Sequence, residues 1–196
     1  MKFFTRYVPN FYTLVVTFKN LPVTSTKSVP NCELLYNEAE LIGANLLQPK
    51  IDKHKTYYLE DAQLQAYASK ELKKYIKIEG CEPQFLVVEV KQCEPIEGTH
   101  LSLCQVSDGV NTWQVVCGAS NVKTGLLTCL ATVGAFMPNG LQISKGSLKG
   151  HDSFGMLCSA KELQVFAAKW DKPGIIEVSQ KKYMGKPIWE VFANEI

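Results

Sequence analysis

Long hydrophobic runs are missing from this chain. No stretch approaches the roughly 18 consecutive apolar residues of a membrane-spanning helix, so no membrane partner is expected. Cys-x-x-Cys spacing is missing too, as are paired histidines, and only three histidines occur in 196 residues. A zinc site or a dithiol redox centre therefore lacks its donor set, and neither metal nor cofactor is expected. "GVNTWQVVCG" and "GASNVKTG" lack the Gly-Lys-Ser/Thr ending of a phosphate loop. "GHDSFG" holds the residue types of a catalytic triad in His151, Asp152 and Ser153. Adjacent residues diverge in direction, however, and Gly-x-x-Ser-x-Gly is not a nucleophile elbow. With no carboxylate pair placed for acid-base work, the sequence predicts a protein that is not an enzyme.

One further absence is local. No Asp or Glu lies between Asp108 and Asp152, whereas Lys123, Lys145 and Lys149 do. Two readings stand side by side: a locally positive face that steers a polyanion, or a buried β core that has no room for acids.

What is present suits a folded protein. Hydrophobic residues make up 46% of the chain and charged residues 20%, enough apolar side chains for a substantial core. The seven cysteines, at 32, 81, 93, 104, 117, 129 and 158, are odd in number. They read as buried structural thiols in a reducing, cytoplasmic setting. "FYTLVVTF", close to the start, is short, contains Thr13 and Thr17, and reads as a strand rather than a signal peptide.

The expected fold class is α+β. Residues 1–80 form a small α/β domain: strands at "FYTLVVTF" and around Gly43, an extended piece at "TYYLED", then a helix. Leu64, Tyr67, Ala68, Leu72, Tyr75 and Ile76 recur at helical spacing, Glu60 or Asp61 stands near the start, and Gly80 marks the stop. Residues 81–196 change texture. "QFLVVEVKQC", "HLSLCQVSDG", "TWQVVCGA", "LLTCLATVGA" and "GLQISKGSLKG" are short β-rich runs punctuated by Gly, Asn and Asp. Five such strands fit a small closed barrel. A short helix is predicted at "SAKELQVFA", where Ser159 and Glu162 have capping-box spacing, and a C-terminal β extension at "GIIEVSQKKYMGKPIWEVF". Net charge is +3 over residues 1–80 and −1 over residues 81–196, which by itself does not predict nucleic-acid binding.

"LCQVSDG", "QVVCGASNV", "VGAFMPNGLQI" and "LKGHDSFGMLCSAKEL" follow one another in an order that resembles a known family. It is the tRNA-binding domain of the phenylalanyl-tRNA synthetase β chain, the methionyl-tRNA synthetase C-terminal extension, CsaA and the EMAP-II-like precursor. Together with the first 80 residues, the arrangement is similar to the stand-alone YtpR-type tRNA-binding proteins. The resemblance implies an OB-fold for residues 81–196, and a tRNA or other structured RNA as partner.

The resemblance also implies a site. Lys145 and Lys149 would meet phosphates, with Gly146 and Gly150 letting the backbone approach. Ser153 matches the family's serine before Gly-Met and would hydrogen-bond sugar or phosphate. Met156 matches the Met of that pair, as an adaptable apolar contact or as packing. Asn121 and Lys123 match an Asn-Val-basic motif on the preceding loop. Two departures stand out. Cys93-Glu94-Pro95 replaces the usual His-Pro, with His100 as a partial substitute, and Asp152 opposes phosphate unless it pairs with a lysine or caps a turn. An alternative from another class uses the same barrel as a protein-interaction or chaperone-like module for a polypeptide or a synthetase. Trp189 and Phe192 in the tail have two readings, a homodimer surface or closure of the monomer core.

Overall fold

The computed structural model describes residues 3–78 and 82–194. The chain forms two compact units, Met1–Glu82 and Pro83–Ile196. The expected boundary at Gly80 and Cys81 lies outside the described residues, but the helix expected to run on to Gly80 ends earlier, at Leu72, so that Tyr75 and Ile76 fall in the turn beyond it.

In the first unit β1 (Phe4–Val8), β2 (Thr13–Thr17), β3 (Ser25–Val29), β4 (Cys32–Asn37) and β5 (Glu40–Leu47) precede one helix, α1 (Ala62–Leu72). The strands form one sheet in the order β1-β2-β5-β4-β3, and every pairing is antiparallel. The α/β label expected for residues 1–80 is therefore not confirmed: short loops join neighbouring strands and no parallel crossover occurs among the described residues. Alternation puts Leu14, Val16, Leu34, Ala44 and Leu46 into the core, where Leu64, Ala68 and Leu72 of α1 join them. Asp61 caps α1 by accepting from the amides of Gln63 (2.8 Å) and Leu64 (3.3 Å). "TYYLED" carries no strand; its residues lie in irregular chain and a turn.

The second unit is a nearly closed barrel. β6 (Phe85–Pro95), β7 (Ser102–Ser107), β8 (Thr112–Cys117), β9 (Leu127–Thr132) and β12 (Gly155–Leu157) lie in the order β12-β9-β6-β7-β8. β10 (Gly146–Leu148) and β11 (His151–Ser153) form a separate hairpin in the long β9–β12 connection. The gap between β8 and the start of β12 is bridged by the Phe154 amide, which donates to Gln114 O (2.8 Å). Val88, Val90, Cys104, Val106, Val115, Leu130 and Leu157 fill the interior. Gly155 is required where β12 crosses β9, because a Cβ there would stand 2.7 Å from the Ala131 carbonyl oxygen and its φ is 143°.

Two expected elements differ. At "SAKELQVFA" the capping box forms: Glu162 N donates to Ser159 Oγ (3.2 Å) and Ser159 N to Glu162 Oε2 (2.8 Å). Only one turn follows. Gln164 takes a left-handed φ of 55°, and Val165 N to Ala160 O (2.9 Å) with Gln164 N to Lys161 O (3.1 Å) closes a Schellman motif. The expected helix is thus stopped as soon as it starts.

The C-terminal β extension is also corrected. The tail touches the barrel through scattered bonds, Ile176 N to Cys158 O (2.9 Å) and Val178 N to Leu127 O (2.8 Å), and through one isolated antiparallel bridge of Leu86 with Pro187, where Gly185 N donates to Val87 O (2.8 Å) and Val87 N to Lys186 O (2.9 Å). It then enters α2 (Ile188–Asn194) directly after Pro187. Ile188, Val191 and Phe192 are buried at helical spacing. The Phe192 ring lies 5.2 Å from Trp170 and 5.7 Å from Trp189, so it belongs to the core of its own chain. No described helix is long and apolar enough to cross a membrane.

Candidate nucleic-acid interface

The β10–β11 hairpin is the most exposed carrier of the predicted residues. Its two-residue turn is Lys149-Gly150, with φ of 52° and 81°, the signs that a type I′ hairpin needs. Gly150 therefore serves the turn, and Lys149 projects from its tip. Lys145 precedes β10; its Nζ lies 2.8 Å from the Asp152 carboxylate and 4.9 Å from the Phe154 ring centre. Asp152 thus pairs with a lysine, one of the two roles open to it. The pair is about half exposed on both sides, so water screens it and an incoming phosphate can compete for Lys145. Among the described residues neither Lys123 nor Lys149 pairs with a carboxylate, and both are exposed.

Ser153 and Asn121 sit deeper. Ser153 is 5% exposed. Its hydroxyl accepts from Val116 N (3.1 Å) and donates to Gly155 O (3.1 Å), which helps close the barrel against β8. The Asn121 carboxamide accepts from Ile175 N (3.0 Å) and donates to Ile175 O (2.9 Å) and Glu177 Oε1 (3.0 Å). A single side chain thereby mimics a strand partner and clasps the tail to the β8–β9 loop. Met156 is half-buried beside an open cleft of about 460 Å³ lined by Val116, Cys117, Gly118, Ala119 and Ile175 among others. His100, from the β6–β7 loop, packs against Gly118 at the edge of that cleft. The hairpin lysines, the Met156 cleft and the outer side of β8 are thus joined through β11 and β12, while Lys123 stands apart on the loop after Asn121.

Sequence reading missed a stripe of amides. Gln92, Gln105 and Gln114 are register partners across β6, β7 and β8. Gln105 Nε2 donates to Gln114 Oε1 (3.1 Å), and Gln114 Nε2 donates to Asp152 O (2.8 Å), tying the sheet to the hairpin. Alternation supplied the signal, since Gln105 and Gln114 occupy the outward positions between the buried Cys104, Val106 and Val115. Such a row offers donors and acceptors on a face that the Lys149 tip flanks.

The cysteines do other work. The six described cysteines are free thiols, five of them buried. Cys104 lies 3.6 Å from Cys93, Sγ to Sγ. Burial, and then the hydrogen bond with Cys93, pushes the Cys104 thiol well above its ordinary value, and burial pushes Cys117 up as well. Both stay protonated and unreactive in neutral solution. Cys81 lies outside the described residues.

Comparisons with known proteins bear on this barrel. Residues 85–187 match the family model described as "Putative tRNA binding domain". An uncharacterized protein of Mycoplasma genitalium, MG449, is 44% identical over 112 residues, covering 57% of this chain and 48% of that one. The phenylalanine–tRNA ligase beta subunit of Ehrlichia ruminantium is 48% identical over 101 residues, 50% of this chain and 13% of the ligase subunit. That of Syntrophotalea carbinolica is 46% identical over 95 residues, 48% and 11% respectively. The chain spans less than half the length of these curated relatives. The family match runs from the first strand of the barrel to the tail residue that precedes α2, more than half of the sequence, and on that ground the chain belongs to the tRNA-binding domain family.

Proposed function

We propose that this protein is a non-catalytic RNA-binding protein whose barrel is an OB-fold and whose ligand is structured RNA of the tRNA class. The barrel's strand order fits an OB-fold, whose ligands lie on the face of the second and third strands and on the loops beside it. Here that region comprises the outer side of β7 and β8, the β6–β7 loop with His100, and the β10–β11 hairpin. The observation that carries the reading is the hairpin itself: its Lys149-Gly150 turn closes the acid-free interval, its one acid, Asp152, is paired with Lys145, and Lys149 has no carboxylate partner among the described residues.

In this reading Lys149, Lys145 and Lys123 meet phosphates as point charges, and Met156 offers an adaptable apolar contact at the cleft. Ser153 and Asn121 act from beneath: one holds the hairpin's base against β8, the other holds the tail that forms the cleft's wall. Exposed bases meet the glutamine row, since RNA is read where its bases are unpaired.

An electrophoretic shift with total tRNA tests the proposal, comparing the unmodified protein with Lys145→Ala/Lys149→Ala at two salt concentrations and with an unstructured RNA of equal length as competitor. Preferential tRNA binding that weakens with salt and with the double substitution is the expected result. Absence of any shift, or a shift indifferent to salt, overturns it and directs the search to a polypeptide partner.

A further inference from the structure

The first unit holds an aromatic and basic edge that the barrel reading does not use. Between β1 and β2 the chain passes through a 3-10 turn, Pro9–Phe11, and Tyr12 follows with a left-handed φ of 46°. The turn is pinned: Tyr12 N donates to Pro9 O (3.1 Å), and Thr13 Oγ1 donates to Phe11 O (2.9 Å). It nevertheless leaves Phe11 77% and Tyr12 52% exposed, although a phenylalanine gains more than most residues from burial. A left-handed aromatic residue beside an exposed phenylalanine is a costly arrangement to fix in place, and such sites tend to be functional.

The loop after β5 lies against this turn. Gln48 N donates to Tyr12 O (2.8 Å), and Lys53 Nζ stands 4.5 Å from the Tyr12 ring centre. The connection, residues 48–61, also carries Lys50, His54 and Lys55, against three acids, Asp52, Glu60 and Asp61. Lys55 pairs with Asp61 (3.3 Å), and Asp52 accepts from His54 N (2.9 Å). Among the described residues Lys50 and Lys53 have no carboxylate partner. On its other side the loop borders a shallow cleft of about 400 Å³, lined by Lys50, Tyr57, Tyr67 and Lys70 among others.

Rings and cations alternate along this edge. A protein interface concentrates apolar groups at its centre and depletes lysine there, whereas a nucleic-acid strand presents stackable bases and phosphates in turn. We infer that this edge binds an unpaired stretch of RNA, with a base stacked on Phe11 and phosphates held by Lys50 and Lys53. The inference rests on the RNA-binding reading given above and extends it to a second contact, on the first unit.

Fluorescence anisotropy of the full chain with a labelled oligoadenylate and, separately, with total tRNA tests it. Phe11→Ala and Lys50→Ala/Lys53→Ala are each expected to weaken oligoadenylate binding by about tenfold, within the range of a lost stacking contact. Phe11→Leu, which keeps the apolar bulk without the ring, is expected to lose most of that affinity. Circular dichroism should be unchanged, since Phe11 is exposed. Unaltered oligoadenylate affinity in Phe11→Ala, or no oligoadenylate binding by the unmodified chain, overturns the inference. A change in sedimentation mass without a change in RNA affinity overturns it also, and makes a second copy of the chain the occupant. Failure of the barrel reading looks different: Lys145→Ala/Lys149→Ala then leaves tRNA affinity intact while the Phe11 variants still lose oligoadenylate.

Discussion

Residues 1–80 hold 11 basic and 8 acidic side chains, whereas residues 81–196 hold 10 and 11. By net charge the first part is the better partner for RNA, yet the family match falls on the second. The difference lies in how charge is distributed. In the barrel unit acids are excluded from the whole stretch between Asp108 and Asp152, and the described pairings show Glu89 bound to Lys91 and Lys181, and Glu190 to Lys186. Within that stretch Lys123 and Lys149 have no carboxylate partner among the described residues. A polyanion senses that local surplus rather than the total, because solvent screens charges beyond about 8 Å at physiological ionic strength.

The two units are also held together differently, and the largest expected effect probes that contrast. The first buries one face of an open sheet under a helix; the second closes a barrel and seals it with the tail. Phe192→Ala should cost about 3–5 kcal/mol by opening a cavity between Trp170 and Trp189, measurable by urea unfolding. A cost under 1 kcal/mol would mean that α2 is not packed tightly against Trp170. Ser153→Ala should cost about 1–3 kcal/mol, because it leaves the Val116 amide without its acceptor. Should stability hold while RNA affinity falls, Ser153 touches the ligand itself.

Charge substitutions sharpen the comparison with smaller effects. Lys145→Ala/Lys149→Ala should lower tRNA affinity roughly tenfold and flatten the log–log salt dependence by about 1.5, as for two lost phosphate contacts. Asp152→Asn works in the opposite direction. Freed from its carboxylate, Lys145 should tighten tRNA binding by about threefold, a modest gain because the pair is solvent-screened. Weaker binding in Asp152→Asn would show that the carboxylate orients Lys145 rather than competing for it.

The smallest effect concerns the β7–β8 turn. Burial works to raise the Asp108 pKa, but amide donors from Asn111 and Val110 outweigh it and hold the carboxyl below its ordinary value. A depressed folded-state pKa stabilises the fold above the unfolded value, roughly 3.9, and this contribution is lost as pH falls through the folded value. The stability difference between the unmodified protein and Asp108→Asn should therefore be flat above about pH 4 and shrink below it, as followed by acid unfolding.

Part of the barrel was legible because β7 and β8 alternate, so that Cys104, Val106 and Val115 announce an inner face and Gln105 and Gln114 an outer one, whereas β9 is buried at every position. The α1 core positions Leu64, Ala68 and Leu72 were legible for the same reason, at the helical period. Elements decided by contacts distant in sequence were not. Asn121 has its partner 54 residues away and Ser153 bonds across 37, so a local motif could mark both positions without revealing that each faces inward. The tail misled in another way. Its β-favouring residues suggested strands, but Ile188, Val191 and Phe192 stand at helical spacing and burial of that face selects the helix. At Ser159 the start signal was read correctly; the left-handed Gln164 that ends the turn has no such signature.

The attachment of the tail has a consequence for connectivity. Residues 175–187 are clasped by Asn121 and hydrogen-bonded to Cys158, Leu127 and Val87, after which Phe192 is buried. Lys169 lies just upstream, in a segment with an exposed Phe166. A tryptic nick there would cut the chain but none of those attachments. The severed piece would stay bound as a peptide in its own groove, and the two fragments would migrate as one particle until a denaturant parted them.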